Sequence, residues 1–366
     1  MNLCCIFNYA PLYRESIYKE IDKTFNAQFY FGREVIHGKE SGIAKLDYRI
    51  FNHKPIEFKN IYFLKYFTWR TRTWYLPFKK YDTFLITGDF VYSYLPFIFL
   101  SKLLGKRVYA WGHGIKHLDG KTSFLDKFFY KNITGFFSYG EKGRDRLIEL
   151  GFDSSKIHVI YNSLSKKIQR LPDLHSDIYI THFGNSYKTL LFVGRLTPQK
   201  KLEMLLRIHT RLNQNGFPCN LVIIGEGPER NKLEQLANQG GYNKLIWFYG
   251  KCYDENKNGE LIYNADLCIS PGNVGLTALH SLSYGTPVLS HDNFEAQMPE
   301  YECILEGKTG TLYKLDDAND LYNKIRLWLR NSTSRDIIRK NCIDVINDKW
   351  NSDYQISLLK SIISDK

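Results

Sequence analysis

Few cysteines, few methionines and no long apolar run characterise this 366-residue sequence. The seven cysteines follow no pattern: there is no Cys-x-x-Cys pair and no histidine at zinc-ligand spacing, which argues against a disulfide scaffold or a zinc module. The longest apolar stretch, residues 92–104, is too short to span a membrane. Residues 1–7 lack the basic residues and apolar length of a secretion signal. These absences predict reduced thiols and a cytoplasmic protein.

Length and charge indicate two domains with different surfaces. A chain of 366 residues with 43% hydrophobic residues is too long for one ordinary domain and can bury two cores. Residues 1–185 contain 28 Lys and Arg against 17 Asp and Glu, so the first half carries nearly all of the net charge of +12. This asymmetry predicts an acidic partner for the first half. Because no nucleic-acid-binding motif is present and aromatic residues are abundant there, an anionic membrane surface is the preferred partner over nucleic acid.

Strands and helices alternate along both halves, which predicts two parallel α/β sheets. In the first half the predicted strands are 3–7, 28–31, 83–87, 107–111, 135–138 and 156–161, and the predicted helices are 16–25, 92–104, 123–132 and 142–150. In the second half the predicted strands lie near 189–194, 219–224, 245–249, 266–270 and 286–290. Residues 163–188 show no clear periodicity and resemble an interdomain connection. We predict an N-terminal domain over 1–175, a linker over 176–188, a C-terminal domain over 189–348 and a final helix over 349–366 that returns to the first domain.

Residues 190–200 and 266–277 of the second half are suited to bind an anion. The buried strand Leu190–Val193 ends in Gly194 and Arg195, and Lys200 follows five residues later. A second strand ends in a glycine-bearing turn at Pro271–Gly275 and enters a helix at Leu276. A helix N-terminus presents unpaired amides and a positive dipole end, and the two cations add charge from another strand. The pattern predicts a diphosphate site.

Several short motifs occur in a fixed order along the second half. They are Gly194-Arg195-Leu196 with Lys200, Gly225-Glu226-Gly227-Pro228, Asn264-Ala265-Asp266, Gly285-Thr286-Pro287, Pro299-Glu300 and Thr309-Gly310. In this order, over about 140 residues, the half resembles the C-terminal domain of the family 4 glycosyltransferases. The resemblance implies the type B glycosyltransferase fold, in which two facing Rossmann-like domains enclose a cleft. It also implies sugar transfer from a nucleotide donor with retention of anomeric configuration.

Two carboxylates of that family are absent here. The usual pair of glutamates, separated by seven residues, would occupy positions 272 and 280, where this chain has Gly272 and His280. A neutral His280 could accept a hydrogen bond from a ribose hydroxyl in place of the second glutamate. A histidine at the edge of the helix core is the alternative.

The resemblance implies roles for further residues. Arg195 and Lys200 would stabilise the departing diphosphate. His113, at the end of the strand 107–111, would face the donor sugar or position the acceptor, whereas a loop-capping histidine is the structural alternative. Glu226 and Glu300 would lie near the donor or in solvated loops, and Arg14 would lie in the acceptor site. The full predicted set is catalytic His113, Arg195 and Lys200, donor-binding Gly194, Glu226, Asn273, Val274, Gly275, Leu276, Thr277, His280 and Glu300, and acceptor-binding Arg14.

No Asp-x-Asp triplet occurs in the chain. That triplet holds the divalent ion in the other large glycosyltransferase fold, whereas here Arg, Lys and a helix dipole are available for the diphosphate. The sequence therefore predicts neither a metal ion nor another cofactor.

Residues 58–81 interleave aromatic residues with lysine and arginine. This composition suits the interface of an anionic membrane, and an amphipathic helix that packs its rings inward is nearly as well supported. Together these observations predict a bacterial, cytoplasmic enzyme, peripheral on the inner membrane face, that moves sugar to a hydroxyl of a lipid-linked saccharide in polysaccharide synthesis. A sugar-nucleotide epimerase and a non-catalytic sugar-nucleotide-binding protein are the alternatives.

Overall fold

The computed structural model describes residues 2–33, 44–63, 67–115, 124–169 and 173–364. The predicted start of a helix at Ser123, residues 64–66 of the basic aromatic segment and the last two residues of the predicted final helix lie outside this range. The chain forms two compact units, one comprising Met1–Lys166 and Asn351–Lys366 and the other Lys167–Trp350. The boundary after Lys166 thus precedes the predicted linker over 176–188.

The first unit contains a seven-stranded, wholly parallel sheet of order β3-β2-β1-β6-β7-β8-β9 and a separate antiparallel hairpin, β4–β5. Its strands are β1 (Leu3–Phe7), β2 (Gln28–Gly32), β3 (Ile56–Phe58), β4 (Asn60–Phe63), β5 (Phe67–Arg70), β6 (Thr83–Thr87), β7 (Arg107–Gly112), β8 (Gly135–Ser138) and β9 (Ile157–Val159). Its helices up to the unit boundary are α1 (Glu15–Phe25), α2 (Tyr94–Leu103), α3 (Phe124–Asn132) and α4 (Glu141–Glu149). Short 3-10 turns cover Leu12–Arg14, Tyr48–Ile50, Leu76–Phe78 and Ser154–Lys156.

Side chains alternate across this sheet, so each strand contributes to two apolar layers. Cys5 and Phe7 of β1 pack into one layer with α1, whereas Cys4 and Ile6 pack into the other with α2. Both faces of a parallel sheet are covered by helices, which explains why every residue of β1 is buried.

The second unit contains a six-stranded parallel sheet of order β12-β11-β10-β13-β14-β15. Its strands are β10 (Lys188–Val193), β11 (Cys219–Ile224), β12 (Ile246–Gly250), β13 (Leu267–Ile269), β14 (Val288–His291) and β15 (Gly310–Tyr313). Its helices are α5 (Ile178–Phe183), α6 (Leu202–Gln214), α7 (Arg230–Gln239), α8 (Glu255–Asn264), α9 (Leu276–Ser283), α10 (Ala318–Leu329) and α11 (Arg335–Lys349). Further 3-10 turns cover Pro198–Lys200, Asn243–Leu245, Phe294–Ala296 and Pro299–Cys303.

The last helix, α12 (Ser352–Ser364), belongs to the first unit. Ile356, Leu359 and Ile363 bury themselves in the same layer as α1, and Gln355 donates a hydrogen bond to the Tyr161 carbonyl at 2.9 Å. Burial of three large aliphatic side chains on one helical face stabilises this attachment by several kcal/mol, at about 1.5–3 kcal/mol per side chain.

The prediction of two parallel α/β domains is confirmed, with differences in detail. The segment 58–81 forms the end of β3, the hairpin β4–β5 and a 3-10 turn, so the alternative of an amphipathic helix is wrong. The structure adds β3 and β15, which the sequence did not predict, and places the short helix α5 within the predicted linker. Of the helices that the structure describes, none combines the length and apolar character needed to cross a bilayer.

Candidate active site

The strand order of the second unit defines where a ligand can bind. β10 has β11 on one side and β13 on the other, so the chain leaves the carboxyl ends of β10 and β13 in different directions. In open parallel sheets this reversal creates a crevice at the carboxyl edge. The loops that follow β10 and β13 contain Gly194–Lys200 and Ser270–Gly275, the two segments that the sequence identified as an anion site.

Lys200 joins these two loops. It ends the 3-10 turn Pro198–Lys200, and its Nζ donates a hydrogen bond to the carbonyl oxygen of Asn273 at 2.5 Å. The backbone N–H of Gly272 in turn donates to the carbonyl of Lys200 at 3.2 Å. The ammonium group is thereby fixed beside the turn that leads into α9.

Gly272 lies against the backbone of the Lys200 loop. A Cβ atom built at this position would come within 1.8 Å of the carbonyl oxygen of Gln199, far inside any allowed contact. The absence of the family's first glutamate therefore has a local packing reason, because the loop that carries Lys200 occupies the space of any side chain at position 272.

The N-terminus of α9 presents unpaired donors. Gly275 precedes the helix with φ of 54° and ψ of −148°, and within the described chain the backbone N–H groups of Gly275, Leu276 and Thr277 have no protein acceptor. The preceding Val274 N–H is bonded to Oε1 of the buried Gln297 at 2.9 Å, and the Thr277 hydroxyl donates to the carbonyl of Val193 at 3.0 Å. These contacts hold the first turn of α9 against the end of β10, with three amides available to an anion.

The electrostatics of Lys200 also indicate an anion site. Burial lowers the pKa of Lys200 to about 8, and the nearby Glu300 carboxylate opposes this shift. Glu300 is 1% exposed, so its alternative assignment to a solvated loop is wrong. Arg195 is exposed at the carboxyl end of β10. An anion that reached Lys200 would favour its charged form and recover part of the desolvation cost.

Glu226 and His280 have protein partners that the sequence did not reveal. Glu226 accepts from Arg230 on α7 at 3.0 Å. The Nε2 atom of His280 lies 2.7 Å from Glu255 Oε1, and the hydroxyl of Tyr284 donates to the same oxygen at 2.8 Å. Burial raises the pKa of Glu255, but the hydrogen bonds from the other two side chains outweigh it and leave that pKa below its ordinary value. A carboxylate thus stands beside position 280, supplied by the start of α8 rather than by α9.

His113 and Arg14 lie together in the first unit. The His113 ring is 4.8 Å from the ring of Tyr139, and Nη2 of Arg14 donates to the Tyr139 hydroxyl. The Arg14 guanidinium also lies 5.2 Å from the ring centre of Trp111. Arg14, His113 and Tyr139 follow β1, β7 and β8, and Trp111 lies near the end of β7, so all four lie at the carboxyl edge of the sheet. Trp111 and Tyr139 were not identified from the sequence, because aromatic residues are too frequent in this half to single out any one.

Sequence similarity to a known family lies within the second unit. Residues 180–344 match the family described as "Glycosyl transferases group 1". A GDP-mannose-dependent alpha-(1-6)-phosphatidylinositol dimannoside mannosyltransferase from Mycobacterium tuberculosis is 35% identical over 103 residues, or 27% of this chain and 26% of that protein. The chain spans only about a quarter to a third of the length of such curated relatives.

Solved structures resemble the whole chain. The lipopolysaccharide outer core galactosyltransferase WaaB, in its apo form, superposes with a TM-score of 0.73 at 19% identity, covering 100% of this chain and 99% of that one. The Anabaena protein Alr3699/HepE in complex with UDP superposes with a TM-score of 0.73 at 15% identity, covering 100% of both chains. At this identity the likeness establishes the fold, and the prediction of the type B glycosyltransferase fold is confirmed.

Proposed function

We propose that this chain, whose residues 180–344 match the group 1 glycosyl transferases, transfers a sugar from a nucleotide-sugar donor to a hydroxyl of a saccharide acceptor. The second unit holds the donor and the first unit holds the acceptor. One observation carries the proposal: the Lys200 ammonium is fixed on the Asn273 carbonyl beside the unpaired first-turn amides of α9. A nucleoside diphosphate suits this arrangement because it carries two adjacent phosphates.

The chemistry assigned to these residues is electrostatic. The bond between the anomeric carbon and the diphosphate oxygen breaks, and its electron pair leaves with that oxygen. The acceptor oxygen bonds to the anomeric carbon on the same face, so configuration is retained, and its proton passes to the departing phosphate oxygen. Lys200, Arg195 and the amides of Gly275–Thr277 stabilise the charge that accumulates on the diphosphate. Because these groups supply the positive charge, we propose that the reaction needs no metal ion.

A panel of sugar nucleotides tests the proposed activity. Each donor is incubated with the full chain and a saccharide mixture in excess EDTA, and the release of UDP, GDP or dTDP is followed together with the product. Transfer to the saccharide supports the proposal. A donor sugar isomerised without nucleotide release would identify an epimerase, binding without turnover would identify a binding protein, and activity restored only by Mg²⁺ would contradict the metal-free mechanism.

We expect UDP affinity to fall as pH rises above about 8. The pKa of Lys200 in the free protein is lowered to about 8, so above that pH the free protein loses the cation that the diphosphate binds. Bound diphosphate favours the charged lysine, so affinity should drop by up to tenfold per pH unit until the raised pKa of the complex is reached. Calorimetry between about pH 7.5 and about 9 measures this, over a range that stays below the ionisation of the uracil ring. The Lys200→Met variant should show no such slope; an equal slope in that variant would assign the titration elsewhere.

We further propose that the acceptor is lipid-linked and that the first unit binds the inner face of an anionic membrane, as in bacterial polysaccharide synthesis. Trp74 and Phe78 are 41% and 63% exposed, and the exposed cations Arg72, Lys79 and Lys80 lie close to them in sequence. Rings at headgroup depth and cations near acidic lipid both favour attachment. Arg70 of the same segment is fully buried and takes no part.

Binding to anionic vesicles should therefore depend on this patch. Changing Arg72, Lys79 and Lys80 to Gln should weaken binding to phosphatidylserine vesicles by up to about a hundredfold at low salt, since each charge near the surface contributes roughly 1 kcal/mol. Raising the salt should erase the difference. The matched control changes the exposed Lys244, Lys308 and Lys314 of the second unit to Gln. Equal loss in both variants, or no wild-type binding, would contradict the assignment.

A further inference from the structure

Arg14 is a cation surrounded by aromatic rings. Its guanidinium lies 5.2 Å from the ring centre of Trp111 and 5.0 Å from that of Tyr139, whose hydroxyl accepts a hydrogen bond from Nη2. Both rings lie within cation–π distance of the guanidinium, and neither carries a formal negative charge.

No acidic side chain pairs with Arg14 in the part of the chain that the structure describes. Its neighbour Glu15 pairs with Lys19, and elsewhere in the first unit Lys45 pairs with Glu57 and Lys166 with Glu20. A partly buried charge without a counter-ion loses hydration and gains no Coulomb attraction in exchange. Arg14 therefore carries a charge that no described acidic side chain neutralises, and an anionic ligand would neutralise it.

The same cluster contains a second polar donor, the indole of Trp111. Trp111 is 2% exposed, and its indole Nε1–H makes no hydrogen bond among the described residues. Buried polar groups are nearly always bonded, so an unsatisfied donor beside an unpaired cation points to an acceptor atom supplied from outside. The cluster also lies at the carboxyl edge of the parallel sheet, where ligands of such sheets bind.

We propose that the acceptor carries an anionic group, a carboxylate or a phosphate, and that Arg14 binds it. The inference rests on the proposed function, because it takes the first unit to hold the acceptor. A carboxylate and a phosphate each present two oxygens at a spacing that a guanidinium can bind with two parallel hydrogen bonds. Arg14 is thus a specificity-determining residue, which admits charged acceptors and disfavours neutral ones.

Three matched probes test the proposal: octyl glucuronide, octyl glucoside phosphorylated on its primary hydroxyl, and octyl glucoside. Calorimetry with the full chain should show at least tenfold tighter binding of one or both charged probes than of the neutral probe. Preference for the carboxylate or for the phosphate identifies the group on the natural acceptor. Equal affinity of the wild-type protein for all three probes would overturn the proposal without the need for any variant.

Variants then assign the preference to one side chain. Arg14→Gln should remove the discrimination between charged and neutral probes, and Arg14→Lys should restore part of it. Arg49→Gln is the matched control, because Arg49 lies in the same unit, is exposed and pairs with Asp47. UDP affinity should be unchanged in all three variants. Charge discrimination that persists in a folded Arg14→Gln protein would refute the role of Arg14, whereas absence of UDP binding by the wild-type protein would instead refute the proposed function.

Discussion

Replacing Lys200 by alanine is expected to lower kcat by a factor of about 10²–10³, the usual result of removing one preorganised donor from a site of developing negative charge. Lys200 is placed for this role by two loops at once, through its Nζ bond to Asn273 and its backbone bond to Gly272. Because the charge on the diphosphate grows as the glycosidic bond lengthens, the loss should appear mainly in kcat and less in the KM of the donor. Arg195→Ala is expected to act in the same direction and range.

Lys232→Ala is the matched control for these substitutions. Lys232 is an exposed lysine on α7 that pairs with Glu203, and exposed ion pairs contribute little to stability. Steady-state release of nucleotide, measured beside the melting temperature, separates chemistry from folding. Near-normal turnover in the Lys200→Ala and Arg195→Ala proteins would show that the diphosphate is stabilised elsewhere.

The framework of the fold is readable from the sequence where strands are uniformly buried. β1 and β6 coincide with their predicted limits, because five consecutive apolar or small residues in each leave no other interpretation. The hairpin β4–β5 was not predicted, since its rings and cations alternate in a way that also suits an amphipathic helix with its rings packed inward. β15 begins with Gly310 and has only four residues, too few to show a period.

The site was predictable where its residues follow the carboxyl ends of neighbouring parallel strands. Arg195 and Lys200 follow one strand, and the α9 turn follows another, so their meeting at the sheet edge follows from parallel topology. The pairing of His280 with Glu255 joins positions 25 residues apart on different helices, and no sequence pattern near either residue predicts it. Burial of Glu300 is likewise a tertiary result, because the motif Pro299-Glu300 alone is equally suited to a solvated turn.

Restoring a side chain at position 272 is expected to damage the enzyme rather than improve it. Gly272→Ala places a Cβ atom within 1.8 Å of the Gln199 carbonyl and 2.8 Å of the Lys200 Cα, both of them backbone atoms that can yield only if the loop moves. Overpacking of this kind typically costs about 1–3 kcal/mol of stability. The moved loop carries Lys200, and a displacement of about 1 Å in a catalytic group can lower the rate about a hundredfold.

Gly272→Glu, which recreates the glutamate found at this position in the family, should therefore lose activity at least as severely as Gly272→Ala. Gly184→Ala is the control, since a Cβ atom there meets nothing within 4 Å although φ is +66°, so it reports backbone strain without crowding. Melting temperature and nucleotide release should both fall in the two Gly272 variants, and only the first should fall in the control. A Gly272→Glu protein that turns over faster than wild type would mean that the loop yields easily and that the missing carboxylate, not the position of Lys200, limits the rate. We expect slower turnover instead, because the backbone of Gly272 lies against the loop that carries Lys200. A glutamate at position 272 would displace that loop and with it the cation.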